Sequence, residues 1–223
     1  QLHHHTTINQ LSEEANKWDN FIKGQKTFLE NDFYVWASYM GEKGVQIYTI
    51  LGNDDVIETE AIIQRFNEKG IIHYSNQTPI NVSDATSIVG YPYVRSSNGR
   101  FYEAWEKRED EIAQDLENIA QTINPKDVIF VTHSPPHNTP LDIAYNGEHI
   151  GSTAIREFIE KHQPKAVLSG HVHESYLKSG EVMVMIGNTP CYNAGGMHTK
   201  DQLCAVIIDM DDPKNYERII NVK

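Results

Sequence analysis

Cysteine, basic residues and long apolar runs are all scarce in this sequence. Its 223 residues include two cysteines, Cys191 and Cys204, which are too few for a disulfide framework and favour a reducing compartment. No apolar run approaches the roughly 20 residues that span a bilayer, and the first residues lack the basic-then-apolar pattern of a signal peptide. We therefore expect a cytoplasmic protein without a membrane anchor.

The shortage of basic residues restricts the partners of the chain. There are 31 acidic residues against 19 Lys and Arg, which gives a formal net charge of -12 at pH 7. This charge repels a phosphate backbone, so nucleic-acid binding is not expected, although a metal site can still accept a phosphate group. Internal repeats, low-complexity tracts and linkers are also missing, and the length fits a single domain over residues 1–223. The oligomeric state is left open.

Helical and strand-like periodicities alternate along the chain. Residues 10–40 carry apolar side chains at spacings of three and four, which predicts a helical region that Gly24 divides into two helices. A further helix is predicted to end at Gly70, and a long charged one to run from about Phe101 to Ile123. Another begins after the predicted N-cap Ser152. β-branched and aromatic runs between these helices predict strands, so the fold class is α/β, with a partly antiparallel second sheet near the end of the chain.

Three apolar strands end in polar clusters of similar character. The stretches are YTILGNDD, VIFVTHSPPH and AVLSGHVHES, and they carry Asn53, His133, His171 and His173. Because ligands bind beyond the carboxyl ends of strands in an open α/β sheet, we expect these four side chains to meet. Imidazole and amide oxygen are ligands that suit divalent Mn, Fe or Zn. Gly170 is expected to let the backbone turn sharply before the paired histidines.

Each of these histidines also has a structural interpretation. His133 could simply cap a strand end, whereas two imidazoles at the mouth of a buried strand are costly to leave without partners. The isolated residues His73, His149 and His162 are expected to be surface or structural residues. Together, the four polar residues after the strands favour a metal site.

The ordered motifs resemble those of the calcineurin-like metallophosphoesterase superfamily. GNDD (52–55), VTHSPPH (131–137) and SGHVHES (169–175) match three of its signatures in order, and NTPCYNAGG (188–196) is similar to a turn that follows them. The resemblance implies a four-layer αββα sandwich of two mixed sheets that holds two divalent metal ions. It implies that Asn53, His133 and His171 bind one ion and that His173 binds the other.

The implied reaction is the hydrolysis of phosphomonoesters or phosphodiesters by a hydroxide that two metals activate. Asp54 stands where the family signature has a histidine that assists the leaving group, and it is therefore the candidate catalytic residue. Residues 1–44 contain neither the Asp-x-His nor the Gly-Asp-x-x-Asp motif, and the first residue is Gln1. We expect an upstream N-terminal segment that supplies them. The alternative function is a catalytically inactive scaffold of the same fold that binds other proteins.

Candidate substrate contacts come from two long segments, 90–105 and 134–152, which are expected to shape the pocket for the phosphoester. Arg95 and Arg100 are the candidate phosphate contacts, with a solvated loop position as the alternative for both. Three aromatic residues of the first segment either line this pocket or pack in the interior: Tyr91, Tyr93 and Trp105. The identity of the substrate is left open.

Overall fold

The computed structural model describes residues 8–96, 104–196, 203–209 and 211–221. The chain forms two compact units. The smaller unit consists of the described residues up to Tyr48 together with Asp54–Tyr74, and the larger unit consists of Thr49–Asn53 and the described residues from Ser75 onward. No helix within the described ranges is both long and apolar enough to cross a membrane.

Helices dominate the smaller unit, and Gly24 does not divide them as predicted. Helix α1 (Ile8–Phe28) runs through Gly24, because glycine tolerates helical angles at a cost of about 1 kcal/mol relative to alanine. The irregularity comes later, at a π-helical turn over Leu29–Phe33, after which α2 (Tyr34–Glu42) follows directly.

The third helix of this unit ends where the sequence predicts. Helix α3 (Glu60–Glu68) follows a short 3-10 turn, and its buried Phe66 lies against the ring of Tyr34 at a centroid distance of 5.3 Å. Gly70 adopts a left-handed φ of 69° and its N–H donates to the carbonyl of Asn67 at 2.9 Å. This geometry confirms the predicted glycine stop.

The larger unit is built on a mixed six-stranded sheet. Three more helices accompany it: α4 (Glu109–Ala120), α5 (Thr153–His162) and α6 (Ser175–Ser179). The described residues form the strands β1 (Tyr48–Thr49), β2 (His73–Tyr74), β3 (Pro79–Ser83), β4 (Thr86–Tyr91), β5 (Val94–Arg95), β6 (Glu106–Lys107), β7 (Val128–Thr132), β8 (Ala166–Ser169), β9 (Met183–Ile186), β10 (Thr189–Asn193), β11 (Leu203–Ile208) and β12 (Tyr216–Asn221).

The order of the large sheet is β3-β4-β7-β8-β10-β9. The four inner strands are parallel to one another, while the edge strands β3 and β9 pair antiparallel with β4 and β10. Strands β11 and β12 form a separate antiparallel pair, in agreement with the predicted antiparallel strands near the end of the chain. Helices alternate with these strands, and the predicted α/β class is confirmed.

The core of the larger unit lies between the central strands and two helices. Phe130 of β7 and Val167 of β8 are fully buried, and their cluster includes Leu116 of α4 together with Ile155 and Ile159 of α5. The spacing of four residues between Ile155 and Ile159 places both on one helix face, so that face is covered by the sheet.

The first residues of these two helices show where the sequence predicts the start of a helix correctly and where it does not. The Ser152 side chain accepts a hydrogen bond from the N–H of Ile155 at 3.2 Å, which confirms the predicted N-cap of α5. Helix α4 is shorter than predicted: residues 101–103 lie outside the described residues, and Glu106–Lys107 pair with β5 as a strand. The helix begins only after Arg108, whose N–H donates to the Glu111 carboxylate at 2.9 Å.

Candidate metal centre

Two adjacent parallel strands bring the candidate histidines to the same edge of the sheet. Strands β7 and β8 pair in parallel, and the Thr132 and Ser169 hydroxyls at their carboxyl ends lie 3.1 Å apart. His133 follows β7 directly, and its carbonyl accepts from the N–H of Gly170 at 3.1 Å, so the ladder continues one step past the strands. The geometry therefore carries His133 and the segment after β8 to one place, as expected for an open α/β sheet.

Three potential ligand atoms meet there. The Oδ1 atom of Asn53 lies 2.7 Å from Nε2 of His133 and 2.9 Å from Nδ1 of His171. The two imidazole rings are 5.2 Å apart between centroids and inclined by 60°. Three of the four residues predicted from the sequence therefore lie within 2.9 Å of a common atom, and they come from three separate stretches of chain.

Gly52 is packed directly against one of these rings. A Cβ atom at this position would lie 2.4 Å from Cε1 of His133 and 2.7 Å from both ring nitrogens. No carbon atom fits at such a distance, so only glycine lets the chain pass beside the ring and still place Asn53 over Nε2.

The turn that presents His171 differs from the predicted one. Strand β8 ends at Ser169, so His171 and His173 do not continue it, and the left-handed residue is His171 itself with a φ of 62°, whereas Gly170 has no positive φ. A non-glycine residue in this region costs on the order of 1 kcal/mol. The expectation that Gly170 would absorb the turn is therefore wrong, since the strained torsion falls on His171, one of the predicted ligands.

Asn193 stabilises this strained turn. It is 2 % exposed, and its Nδ2 donates to the carbonyls of Gly170 at 3.2 Å and Val172 at 3.1 Å, on either side of His171. The same nitrogen donates to the carbonyl of Leu141 at 3.0 Å, and Oδ1 accepts from the N–H of Gly195 at 2.9 Å. These bonds to one buried amide hold the backbone around His171 in its unusual conformation.

The environment keeps the His133 ring neutral. Burial lowers its pKa to about 3, and the neighbouring imidazoles of His171 and His173 act in the same direction. A neutral imidazole keeps a lone pair for a metal ion, because only the unprotonated nitrogen can act as a ligand.

The three converging atoms could hold one divalent ion. Two imidazole nitrogens and an amide oxygen suit a borderline first-row ion. His173, the predicted ligand of the second ion, is exposed, and its carbonyl accepts from the N–H of Gly196 at 2.8 Å. Across the described parts of the chain, no group of three or more His, Cys, Asp or Glu side chains could hold a metal ion. The second ion stays a prediction.

Similarity to known proteins identifies the family of the chain. The family model described as calcineurin-like phosphoesterase matches residues 18–175, which is most of the chain. The chain belongs to the calcineurin-like phosphoesterase family. This match confirms the resemblance stated from the motifs and agrees with the α/β fold. Members of this family are in general metal-dependent hydrolases of the phosphoesterase type.

Individual relatives of this phosphoesterase domain are distant. It is 28 % identical over 160 residues to the uncharacterized protein MJ1162 of Methanocaldococcus jannaschii, a match that spans 68 % of this chain and 70 % of the relative. The crystal structure of TT1561 of Thermus thermophilus is similar with a TM-score of 0.61 at 15 % identity, over 84 % of this chain and 77 % of that one. Another solved structure reaches a TM-score of 0.64 at 16 % identity, over 90 % and 75 % of the two chains. At these identities the solved structures support the fold alone.

The remaining predicted site residues have other contacts. The Arg95 guanidinium donates from Nε to the carbonyl of Ile150 at 3.2 Å, so it braces a loop backbone. Arg100 lies outside the described residues. Asp54 is exposed, and its carbonyl accepts from Nε2 of Gln25 at 2.7 Å within the smaller unit. The substrate and catalytic roles of these three residues stay predictions.

The aromatic residues of segment 90–105 pack in the interior. Tyr91 and Trp105 are almost completely buried, and Tyr93 lies between them, at ring centroid distances of 5.4 Å and 5.8 Å. Burial and the nearby Asp115 raise the pKa of Tyr91, whose hydroxyl donates to that carboxylate at 2.9 Å. Packing is therefore the role that the structure gives to Tyr91 and Trp105.

Sequence reasoning missed two buried polar residues near the site. In the sequence, Asn193 stands out only as part of the turn-like stretch 188–196, and Asp142 is not among the predicted site residues. The sole signal for Asp142 was its place in the polar stretch HNTPLD, which predicts a loop and says nothing about burial. Its complete burial follows from the tertiary fold.

Proposed function

We propose that this chain hydrolyses a phosphomonoester or phosphodiester with the help of a divalent metal ion held by Asn53, His133 and His171. The observation that carries the proposal is the convergence of three ligand atoms, with Oδ1 of Asn53 within 2.9 Å of a ring nitrogen of each histidine. In the same unit, the left-handed His171 and the buried Asn193 behind it represent a structural cost that packing alone gives no reason to retain.

Some residues of the site would bind the metal ion, and others position the residues that bind it. His133 and His171 offer imidazole nitrogens, and Asn53 offers an amide oxygen, while Gly52 leaves room for the His133 ring. When bound, a divalent ion would polarise a phosphoryl oxygen and lower the pKa of a water molecule. Asn193 fixes the backbone on both sides of His171, so that His171 is already in place when the metal ion binds.

Metal binding and turnover test the proposal together. Purified protein is stripped of metal, titrated with Mn²⁺, Fe²⁺ or Zn²⁺ and assayed with 4-nitrophenyl phosphate and bis(4-nitrophenyl) phosphate. We expect metal-dependent turnover of one of the two esters, and we expect His171→Ala to lower the metal affinity and the turnover.

The matched control is His162→Gln. This imidazole lies on α5, where its Nε2 contacts the Glu117 carboxylate at 2.9 Å, and the change should leave metal binding and turnover as they are. The number of ions bound per chain separates a single ion at the three ligands from the predicted pair. A protein that binds no divalent ion, or whose activity is indifferent to His171→Ala, contradicts the proposal.

An inactive protein-binding scaffold is the second candidate, and one observation favours it. The smaller unit exposes several large apolar side chains along α1 and α2, which is unusual for a surface that meets only water. These are Trp18, Phe21, Phe28, Val35, Trp36 and Tyr39. A folded protein that neither binds metal nor hydrolyses either ester would favour this function.

A further inference from the structure

Asp142 is a buried carboxylate at the centre of the loop 134–152. It is 0 % exposed, and its oxygens accept hydrogen bonds from the backbone N–H groups of Asn138 at 3.0 Å, Thr139 at 2.9 Å and Gly151 at 3.0 Å. A fourth bond comes from Nδ1 of His149, which lies 2.6 Å from Oδ1. The loop therefore folds around this carboxylate, and His149 is the one of these four donors that belongs to a side chain.

The carboxylate fixes the orientation of the His149 ring. The Nδ1 edge faces a fully buried partner, and the side chain as a whole is 34 % exposed, so the ring is only partly covered by the protein. An imidazole whose Nδ1–H donates to a carboxylate is held in one tautomer and orientation, which leaves Nε2 for proton transfer.

The neighbouring His137 shares the cluster but is not oriented in this way. Its ring lies 6.0 Å from that of His149, and its Nδ1 is 3.5 Å from Asp142 without a hydrogen bond. His149 is therefore the better placed of the two for directed proton transfer.

Two hydrogen-bonded links attach this loop to the segment that carries the predicted metal ligands. The Nδ2 atom of Asn193 joins the carbonyl of Leu141, next to Asp142, to the carbonyls of Gly170 and Val172 that flank His171. Farther along, the N–H of Tyr145 donates to the carboxylate of Glu174 at 3.0 Å, one residue after His173.

Arg95 holds the same loop from another side. Its guanidinium donates to the carbonyls of Ile150 at 3.2 Å and His149 at 3.5 Å. The loop backbone that carries His149 is thus tied both to strand β5 and to the segment 170–174 that contains the predicted ligands.

We infer that His149, oriented by Asp142, is the acid that protonates the leaving oxygen of the phosphoester, an inference that rests on the proposed function. An alkoxide is a poor leaving group unless it takes up a proton as the ester bond breaks. Water forms the new P–O bond while the ester P–O bond breaks with its electron pair on the leaving oxygen. That oxygen takes the proton from Nε2 of His149, and the proton released by water restores the imidazolium.

The dependence of the rate on the leaving group tests this role. The metal-loaded wild type and His149→Gln are compared on a 4-nitrophenyl ester, whose leaving group needs no proton, and on the matching alkyl ester, whose leaving group does. We expect kcat/KM of the variant to fall by about 100-fold or more on the alkyl ester and by less than about 5-fold on the nitrophenyl ester.

His162→Gln is the control, because it removes another imidazole that contacts a carboxylate and should affect neither ester. Asp54→Asn is measured in parallel. If Asp54→Asn shows the selective loss and His149→Gln does not, the proton donor is Asp54 and the inference is overturned.

A second measurement does not require activity. Long-range ¹H–¹⁵N spectra of the metal-free protein at alkaline pH report which ring nitrogen of His149 carries the proton. We expect it on Nδ1 in the wild type and expect Asp142→Asn to reduce that tautomer. If Asp142→Asn does not fold, the wild-type spectrum still decides, since a proton on Nε2 overturns the inference.

The failures of the two proposals can be told apart. Equal losses of His149→Gln on both esters, with an active wild type, overturn the inference alone. A wild type that hydrolyses neither ester refutes the proposed function, and the inference fails with it.

Discussion

Replacing Gly52 by alanine should damage the proposed metal site without changing the fold. The added Cβ atom would lie 2.4 Å from Cε1 of His133. Ordinary carbon–carbon contacts begin at about 3.5 Å, so the ring or the backbone beside it has to move away by about 1 Å. The ring cannot move that far and still keep Nε2 at 2.7 Å from Oδ1 of Asn53.

The expected magnitude follows from what this displacement does to the ligands. A change that misaligns a metal ligand without removing it typically lowers the affinity about 10- to 100-fold, or about 1.4 to 2.8 kcal/mol. Calorimetric titration of the metal-free protein with Mn²⁺ measures this loss, and far-UV circular dichroism with a thermal melt shows whether the fold is intact.

Gly24→Ala provides the matched control. A Cβ at this helical position meets nothing within 4 Å, so the metal affinity should stay at the wild-type value. The variant should also be more stable, by about 0.5 to 1 kcal/mol, because alanine favours a helix interior over glycine. A folded Gly52→Ala protein with wild-type metal affinity would refute the argument that the His133 ring is fixed by this contact.

Three further predictions follow from buried or paired groups. Asn193→Ala should destabilise the protein by about 2 to 4 kcal/mol in urea unfolding, since it leaves several buried backbone groups without partners; a loss below about 0.5 kcal/mol would contradict this. Burial raises the pKa of the Cys191 thiol to about 12, so a thiol reagent should label the partly exposed Cys204 first in the native protein, as peptide mass mapping would show. Hydrogen bonds from Lys161 and His162 lower the pKa of Glu117. The stability difference between the wild type and Glu117→Gln should therefore be present near neutral pH and decline as the pH falls below the ordinary carboxyl range. A difference that grows on acidification would contradict this sign.

Local signals in the sequence were sufficient wherever one residue decides a conformation. Ser152 caps α5 and Gly70 ends α3, because a side-chain acceptor or a left-handed glycine acts within a few residues of its position. The same reasoning was wrong at Gly24, where the helix continues at a small local cost, and at the start of α4, where Glu106–Lys107 pair as a strand.

The sequence by itself determined the residue types of the candidate site and the order of its motifs. Apolar strands followed by Asn53, His133 and His171 predict a polar cluster at the edge of a sheet, since the carboxyl ends of parallel strands meet there. Only the tertiary structure decided how these residues are held. The left-handed turn at His171, the buried Asn193 behind it and the burial of Asp142 under His149 depend on groups that are distant along the chain, and a local pattern cannot report which distant carbonyl or carboxylate will be near.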